Sequence, residues 1–235
     1  MEEIQLKCSN CETVGAGKFC RSCGQKFATE RLSLRSILHE VFHFFTHVDH
    51  GFPYTLKRLI VSPGKMQREY IIGKRSNYQK PFSMYFLCGT VAALTMYWVN
   101  FLLIRYFNAG DSKEAHFIHQ YWVILQLFML PVYTLITFLV FKKSRLNYGE
   151  IMIFQLYLFS FLFVCLALIH LLKFIFPHLQ TRYIEFPVIV GYTIITNIHF
   201  FKELKKWHVI VLSILSIGFS FLLASYLQDL LIQTF

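Results

Sequence analysis

One stretch restricts this chain more than any other: Pro81–Phe107, PFSMYFLCGTVAALTMYWVNFLLIRYF. It carries no charge from Ser83 to Ile104, and a run of about 20 apolar residues is long enough to cross a bilayer as a helix. A helix in hydrocarbon pairs its backbone N–H and C=O groups within itself, so few other folds are open to such a run. Four similar stretches follow. The pattern predicts spans at about 82–106, 119–141, 150–173, 183–201 and 207–229. The fourth is the weakest, because only Phe186–Phe201 is free of charge and Pro187 sits near its start. Composition agrees: 15% of residues are charged, against about a quarter in soluble chains. The expected fold is an all-α integral membrane protein. Residues 81–235 form a five-helix transmembrane bundle, residues 1–30 a small zinc ribbon, and residues 31–80 short amphipathic juxtamembrane helices.

Lys and Arg number 23 and Asp and Glu 13, a net charge of +10. With the N-terminus inside, 19 of the cations fall on the cytoplasmic side. Four, Arg105, Lys113, Lys173 and Arg182, fall outside. Such asymmetry orients a multi-span protein. It predicts a cytoplasmic N-terminus and a periplasmic C-terminus. The excess therefore belongs to topology, and no nucleic-acid partner is expected. The first residues, MEEIQLKCSNCE, are polar and lack the apolar core of a cleavable signal.

Four of the six cysteines lie close together, as Cys8-Ser9-Asn10-Cys11 and Cys20-Arg21-Ser22-Cys23. Each pair sets two thiolates on one side of a tight turn, and two turns together make a tetrahedral sulfur site suited to structural zinc. Gly15 and Gly17 allow the reversal between the pairs, and Gly24 follows the second. Lys18, Arg21 and Lys26 offset part of the thiolate charge. So small a segment needs metal for its stability. The redox reading of CxxC lacks the βαβ context it requires. Four sulfurs leave no open coordination position, so the site is a poor catalyst. Cys88 and Cys165 sit alone in apolar sequence and read as buried apolar side chains.

Residues 33–50 follow helical periodicity through Leu34, Ile37, Leu38, Val41, Phe42, Phe45 and Val48. The other face carries His39, Glu40, His43 and His47. His39-Glu40-Val41-Phe42-His43 reads as HExxH, which on a helix can share a metal with the Glu as general base. His47 or Asp49 would be the third ligand of a second metal site, and Glu40 the catalytic residue of a tethered peptidase. Thr46 stands where extended zincins place Gly, and little soluble sequence surrounds the helix, so an interfacial polar face is the preferred reading. A turn at 50–53 ends that helix. Helices are then expected at Tyr54–Val61 and Pro63–Ile72. Lys57, Arg58, Lys65, Arg68, Lys74, Arg75 and Lys80 form a basic belt. Anionic lipid attracts each such charge by about 1 kcal/mol near the surface. Lipid, or a cytoplasmic or membrane protein partner, is the expected contact.

CSNCETVGAGKFCRSCGQKF, Arg31, Pro63-Gly64 and Tyr70-x-x-Gly73-Lys74-Arg75 ahead of a polytopic body resemble an uncharacterised bacterial family, domain of unknown function 3667. The resemblance covers roughly residues 8–85. It implies a cytoplasmic ribbon and an inner-membrane location, and no activity.

Within the spans, Gly89 and Ala93, and Ser216, Ser220 and Ala224, let helices approach closely. Asn100, Gln126, Gln155 and Asn197 can bond across the bundle. Tyr78, Tyr85, Tyr106, Tyr121, Trp122, Tyr148, Tyr183 and Trp207 are expected at the interfaces. No P-loop, dinucleotide fingerprint or nucleophile elbow is present. The reading is therefore a membrane-anchored zinc-ribbon protein acting as a non-enzymatic interaction, regulatory or accessory component. The rivals are the peptidase and a transporter or lipid-handling protein. The latter predicts a polar cavity between spans.

Overall fold

The computed structural model describes residues 5–27, 51–107 and 112–234, with side chains of the last segment described over 125–227. A two-stranded antiparallel ribbon comes first, β1 (Leu6–Lys7) against β2 (Val14–Gly15). Helices follow: α1 (Phe52–Val61), α2 (Lys65–Ile72), α3 (Pro81–Phe107), α4 (Ser112–Val140), α5 (Tyr148–Leu171), α6 (Arg182–Phe200) and α7 (Lys206–Thr234). The five long helices fall close to the expected stretches. Among the described residues, three segments are long and apolar enough to cross a membrane: Pro81–Phe107, Tyr148–Phe174 and Lys206–Leu227. α6 carries Arg182 and Glu185 in its first turn, and the described apolar part of α4 is the shorter Leu125–Val140.

α5 is the central helix. Asn147 caps it, accepting from Glu150 N while the Glu150 carboxylate takes the Asn147 N–H, both at 2.8 Å. It is apolar on every side, as a helix surrounded by protein should be. Ile151, Phe154, Tyr157 and Leu158 are all buried. Phe163 lies against Gly89 of α3, where a Cβ would come within 3.3 Å of its ring. The small residue is what allows that approach. Phe141 and Phe201 stack at 4.0 Å, joining the ends of α4 and α6. The turns bearing Lys142, Lys143 and Arg145 and Lys202, Lys205 and Lys206 thus lie at one end of the bundle.

α1 and α2 pack at that same end. The first turn of α1 includes Phe52 and Pro53, two residues earlier than the pattern predicts; Pro is at home there because its missing N–H has no partner to lose. α2 starts at Lys65, two residues later than expected. Gly64 takes φ +77° and presses against α6, where a Cβ would lie 2.7 Å from Phe200 N. Only glycine fits. Tyr78 and Tyr85, expected at the interface, are buried in the core. Tyr78 spends its hydroxyl on a carboxylate, which makes burial affordable. Tyr106, Tyr183 and Trp207 are exposed. Tyr121, Trp122 and the 33–50 stretch lie outside the described side chains.

Candidate functional site

The two CxxC turns fold alike. Glu12 N donates to Cys8 O and Gly24 N to Cys20 O, each at 2.9 Å. Cys8 N then donates to Thr13 O at 3.0 Å and Cys20 N to Gln25 O at 2.8 Å. Both turns need a left-handed residue after the second cysteine: Gly24 at φ +72° and Glu12 at φ +62°. The result brings four sulfurs within 4.8 Å of one another. Cys8 Sγ and Cys23 Sγ are 3.6 Å apart, and Cys11 Sγ and Cys20 Sγ 3.4 Å. A tetrahedral thiolate site with metal–sulfur bonds of about 2.3 Å has edges of about 3.8 Å. The spacing fits such a site and is too long for disulfides.

Electrostatics point the same way. The Thr13 hydroxyl and N–H hold the Cys11 thiol down at about 6. The Gln25 N–H lowers Cys23. At Cys20 the Cys23 N–H pulls down, but desolvation and the neighbouring sulfurs carry it up to about 11. Adjacent thiolates cannot all ionise without a cation, and a bound metal supplies one. Cys8, Cys11, Cys20 and Cys23 are the residues that could hold it.

The ribbon is fastened to the loop after α2 by one side chain. Gln25 is buried, and its amide makes three bonds. Nε2 donates to Gly73 O at 2.6 Å, while Oε1 accepts from Arg75 N and Ser76 N, both at 3.1 Å. Asn10 Nδ2 adds a bond to Ser76 Oγ at 2.7 Å. The Gln of the CGQ ending and the Gly-Lys-Arg run are therefore two halves of one contact. The sequence showed both halves and nothing that paired them.

Below the loop, Glu69 ties α1, α2 and Tyr78 together. Its Oε2 accepts from Arg58 Nη2 and from Tyr78 Oη, both at 2.8 Å. Burial alone would raise Glu69, but these two donors outweigh it and hold the carboxylate below its ordinary range. Arg68 donates to Phe200 O at 2.9 Å and pairs with Glu203. Arg75 donates from Nε to Tyr70 O at 3.2 Å. Of the basic belt, Arg58, Arg68 and Arg75 thus make ties within the molecule, Lys57 and Lys65 are exposed and Lys74 is half-buried. His39, Glu40, His43, His47 and Asp49 lie outside the described residues.

Comparison with known families bears on the same segment. The family described as Protein of unknown function (DUF3667) matches residues 49–92. The resemblance read from the sequence holds over this stretch. The DUF3667 segment comprises α1, α2, the 73–80 loop and the first half of α3. It begins after the ribbon, so the cysteines and Gln25 lie outside the match, although the loop that Gln25 grips lies inside it. No curated protein and no solved structure matches the chain.

The transporter or lipid-handling reading expects a polar cavity; the space between the long helices is mainly apolar-walled. A space of about 980 Å³ between α4, α5, α6 and α7 is lined in part by Gln126, Gln155 and Asn197. Asn100 is not part of the lining. Gln155 bonds to Thr137 across α5 and α4, and Asn197 to Ser213 across α6 and α7.

Proposed function

We propose that this chain is a bacterial inner-membrane protein that crosses the bilayer five times. Its cytoplasmic ribbon holds one structural zinc and, seated on the DUF3667 segment, acts as a non-enzymatic docking or regulatory element. The observation that carries this reading is the Gln25 clasp. A closed four-sulfur knob is held rigidly against a juxtamembrane platform, an arrangement that presents a surface rather than a reaction centre. Five crossings are supported by length: 19 residues of α6 rise about 28 Å, close to the roughly 30 Å hydrocarbon core. The cation-bearing turns gathered at the platform end support an inside location for that end.

α1 and α2 then lie in the interface. Their exposed Tyr54, Ile60, Val61 and Ile72 enter the acyl boundary, while Lys57 and Lys65 meet phosphates or an acidic partner. Arg58, Arg68, Lys74 and Arg75 complete the proposed contact set, the arginines mainly by holding its shape.

The test uses the intact chain in detergent. One zinc per chain is expected, and none after Cys20→Ser. A partner cross-linked in membranes to the unaltered chain is expected to be lost in the same variant. An intact chain that purifies without metal, or a partner indifferent to Cys20→Ser, would remove this reading.

A further inference from the structure

The two halves of the ribbon repeat each other. Cys8 and Cys11 correspond to Cys20 and Cys23, Glu12 to Gly24, and Thr13 to Gln25. The flanking residues correspond as well. Lys7 pairs with Val14 across β1 and β2, and Phe19 pairs with Lys26 in an antiparallel bridge. Each half therefore sets one lysine beside one apolar side chain. Val14 is 56% exposed and Phe19 53%.

Burial shows which way the second pair points. Phe19 is exposed and Cys20 buried; Gln25 is buried, Lys26 exposed and Phe27 buried. Side chains along extended chain alternate between two faces. Cys20, Gln25 and Phe27 share the inner face, which packs on the sulfur cluster and grips the 73–76 loop. Phe19 and Lys26 share the outer face, turned away from that loop. Lys26 Nζ lies 5.9 Å from the centre of the Phe19 ring. Arg21, in the turn itself, is also exposed.

The halves differ in charge. In the first, Glu12 pairs with Lys7 at 3.2 Å. In the second, Gly24 stands where Glu12 would, and residues 16–27 contain no acid. Among the described residues, Lys18, Arg21 and Lys26 pair with no carboxylate. The second half thus presents an aromatic ring among cations that have no counter-charge.

We propose that this face, Phe19 with Arg21 and Lys26, binds an acidic segment of a protein partner in which carboxylates flank one apolar side chain. The inference rests on the docking reading of the ribbon and names the surface and the chemistry it takes. The apolar side chain lies against the Phe19 ring, and the carboxylates meet Arg21 and Lys26. Charge complementarity selects the acidic partner. A bilayer is disfavoured, because the face is turned from the loop that holds the ribbon to the juxtamembrane platform. Single-stranded nucleic acid is disfavoured too. Successive bases stack on several rings, and Phe19 is the one exposed ring within residues 5–27.

The test selects random phage-displayed dodecapeptides against the intact chain in phosphatidylcholine nanodiscs. The selected peptides should carry several Asp or Glu residues around one apolar residue. Binding of a labelled selected peptide should weaken at least roughly tenfold in Phe19→Ser, and as much in a chain with Arg21→Glu and Lys26→Glu. That second variant should instead bind the same peptide with its acids replaced by Lys. Zinc per chain should be unchanged throughout. Selected peptides without an acidic excess, or binding that Arg21→Glu with Lys26→Glu leaves intact, would overturn the proposal. So would Phe19-dependent binding of labelled oligothymidine or of phosphatidylglycerol vesicles in preference to the peptide. An unaltered chain without zinc would remove the docking reading as well, whereas a zinc-bearing chain that selects no acidic peptide removes this inference alone. Should Phe19→Ser lose its metal, the charge reversal and its rescue decide.

Discussion

Single side chains settle where the ribbon sits. Gln25→Ala would leave Gly73 O, Arg75 N–H and Ser76 N–H without their present partners. The expected cost is about 2–3 kcal/mol for the docked state. The sulfur cluster does not use the Gln25 side chain, so metal content should be unchanged while limited proteolysis after Lys26 becomes faster. An unaltered cleavage rate would show that the clasp does not hold the ribbon. Glu69→Gln tests the neighbouring tie. It leaves the half-buried Arg58, whose Nε already lacks a partner, without its carboxylate. A loss of about 1–3 kcal/mol is expected in denaturation of the detergent-solubilised chain. The pH sign follows from the lowered value of Glu69. Its contribution is complete above the ordinary carboxylate range near ~4.3. It is lost as pH falls through the folded value, because the unfolded chain then binds more protons. Glu69→Gln should remove that part of the acid sensitivity.

At the scale of elements, the decisive contacts are close approaches between helices. Gly64 combines a left-handed φ with backbone contact to α6. Gly64→Ala should cost about 3 kcal/mol, the sum of a left-handed penalty and overpacking, measured as a lowered unfolding midpoint. A neutral outcome would mean that α2 and α6 are not packed as described. The long helices were legible in the sequence because hydrocarbon burial demands uninterrupted apolar runs, such as Ser83–Ile104. The cysteine site was legible because ligand spacing is local. The start of α2 was not, since Pro63 at a first helical position and Gly64 pressed under α6 give the same local signal. Nor were the buried places of Tyr78 and Tyr85. A tyrosine near a span end reads as interfacial until Glu69, nine residues before Tyr78, is seen to accept its hydroxyl. The Gln25 contact escaped for the same reason: its partners lie some fifty residues away and are backbone atoms.

For the molecule as a whole, the ribbon, the DUF3667 segment and the basic turns share one end of the helical bundle, and hydrocarbon-length helices lead away from it. Potential and anionic lipid favour cations on the cytoplasmic face. The number of crossings and the end that faces inward decide where the ribbon works. Single cysteines placed at Ser144, His178 and Lys202, in a chain with Cys88→Ala and Cys165→Ala, report this through a membrane-impermeant thiol reagent applied to intact cells. His178 should be labelled from outside, and Ser144 and Lys202 only after the membrane is opened. External labelling of Ser144 or Lys202, or protection of His178, would contradict the five-crossing arrangement and the cytoplasmic ribbon with it.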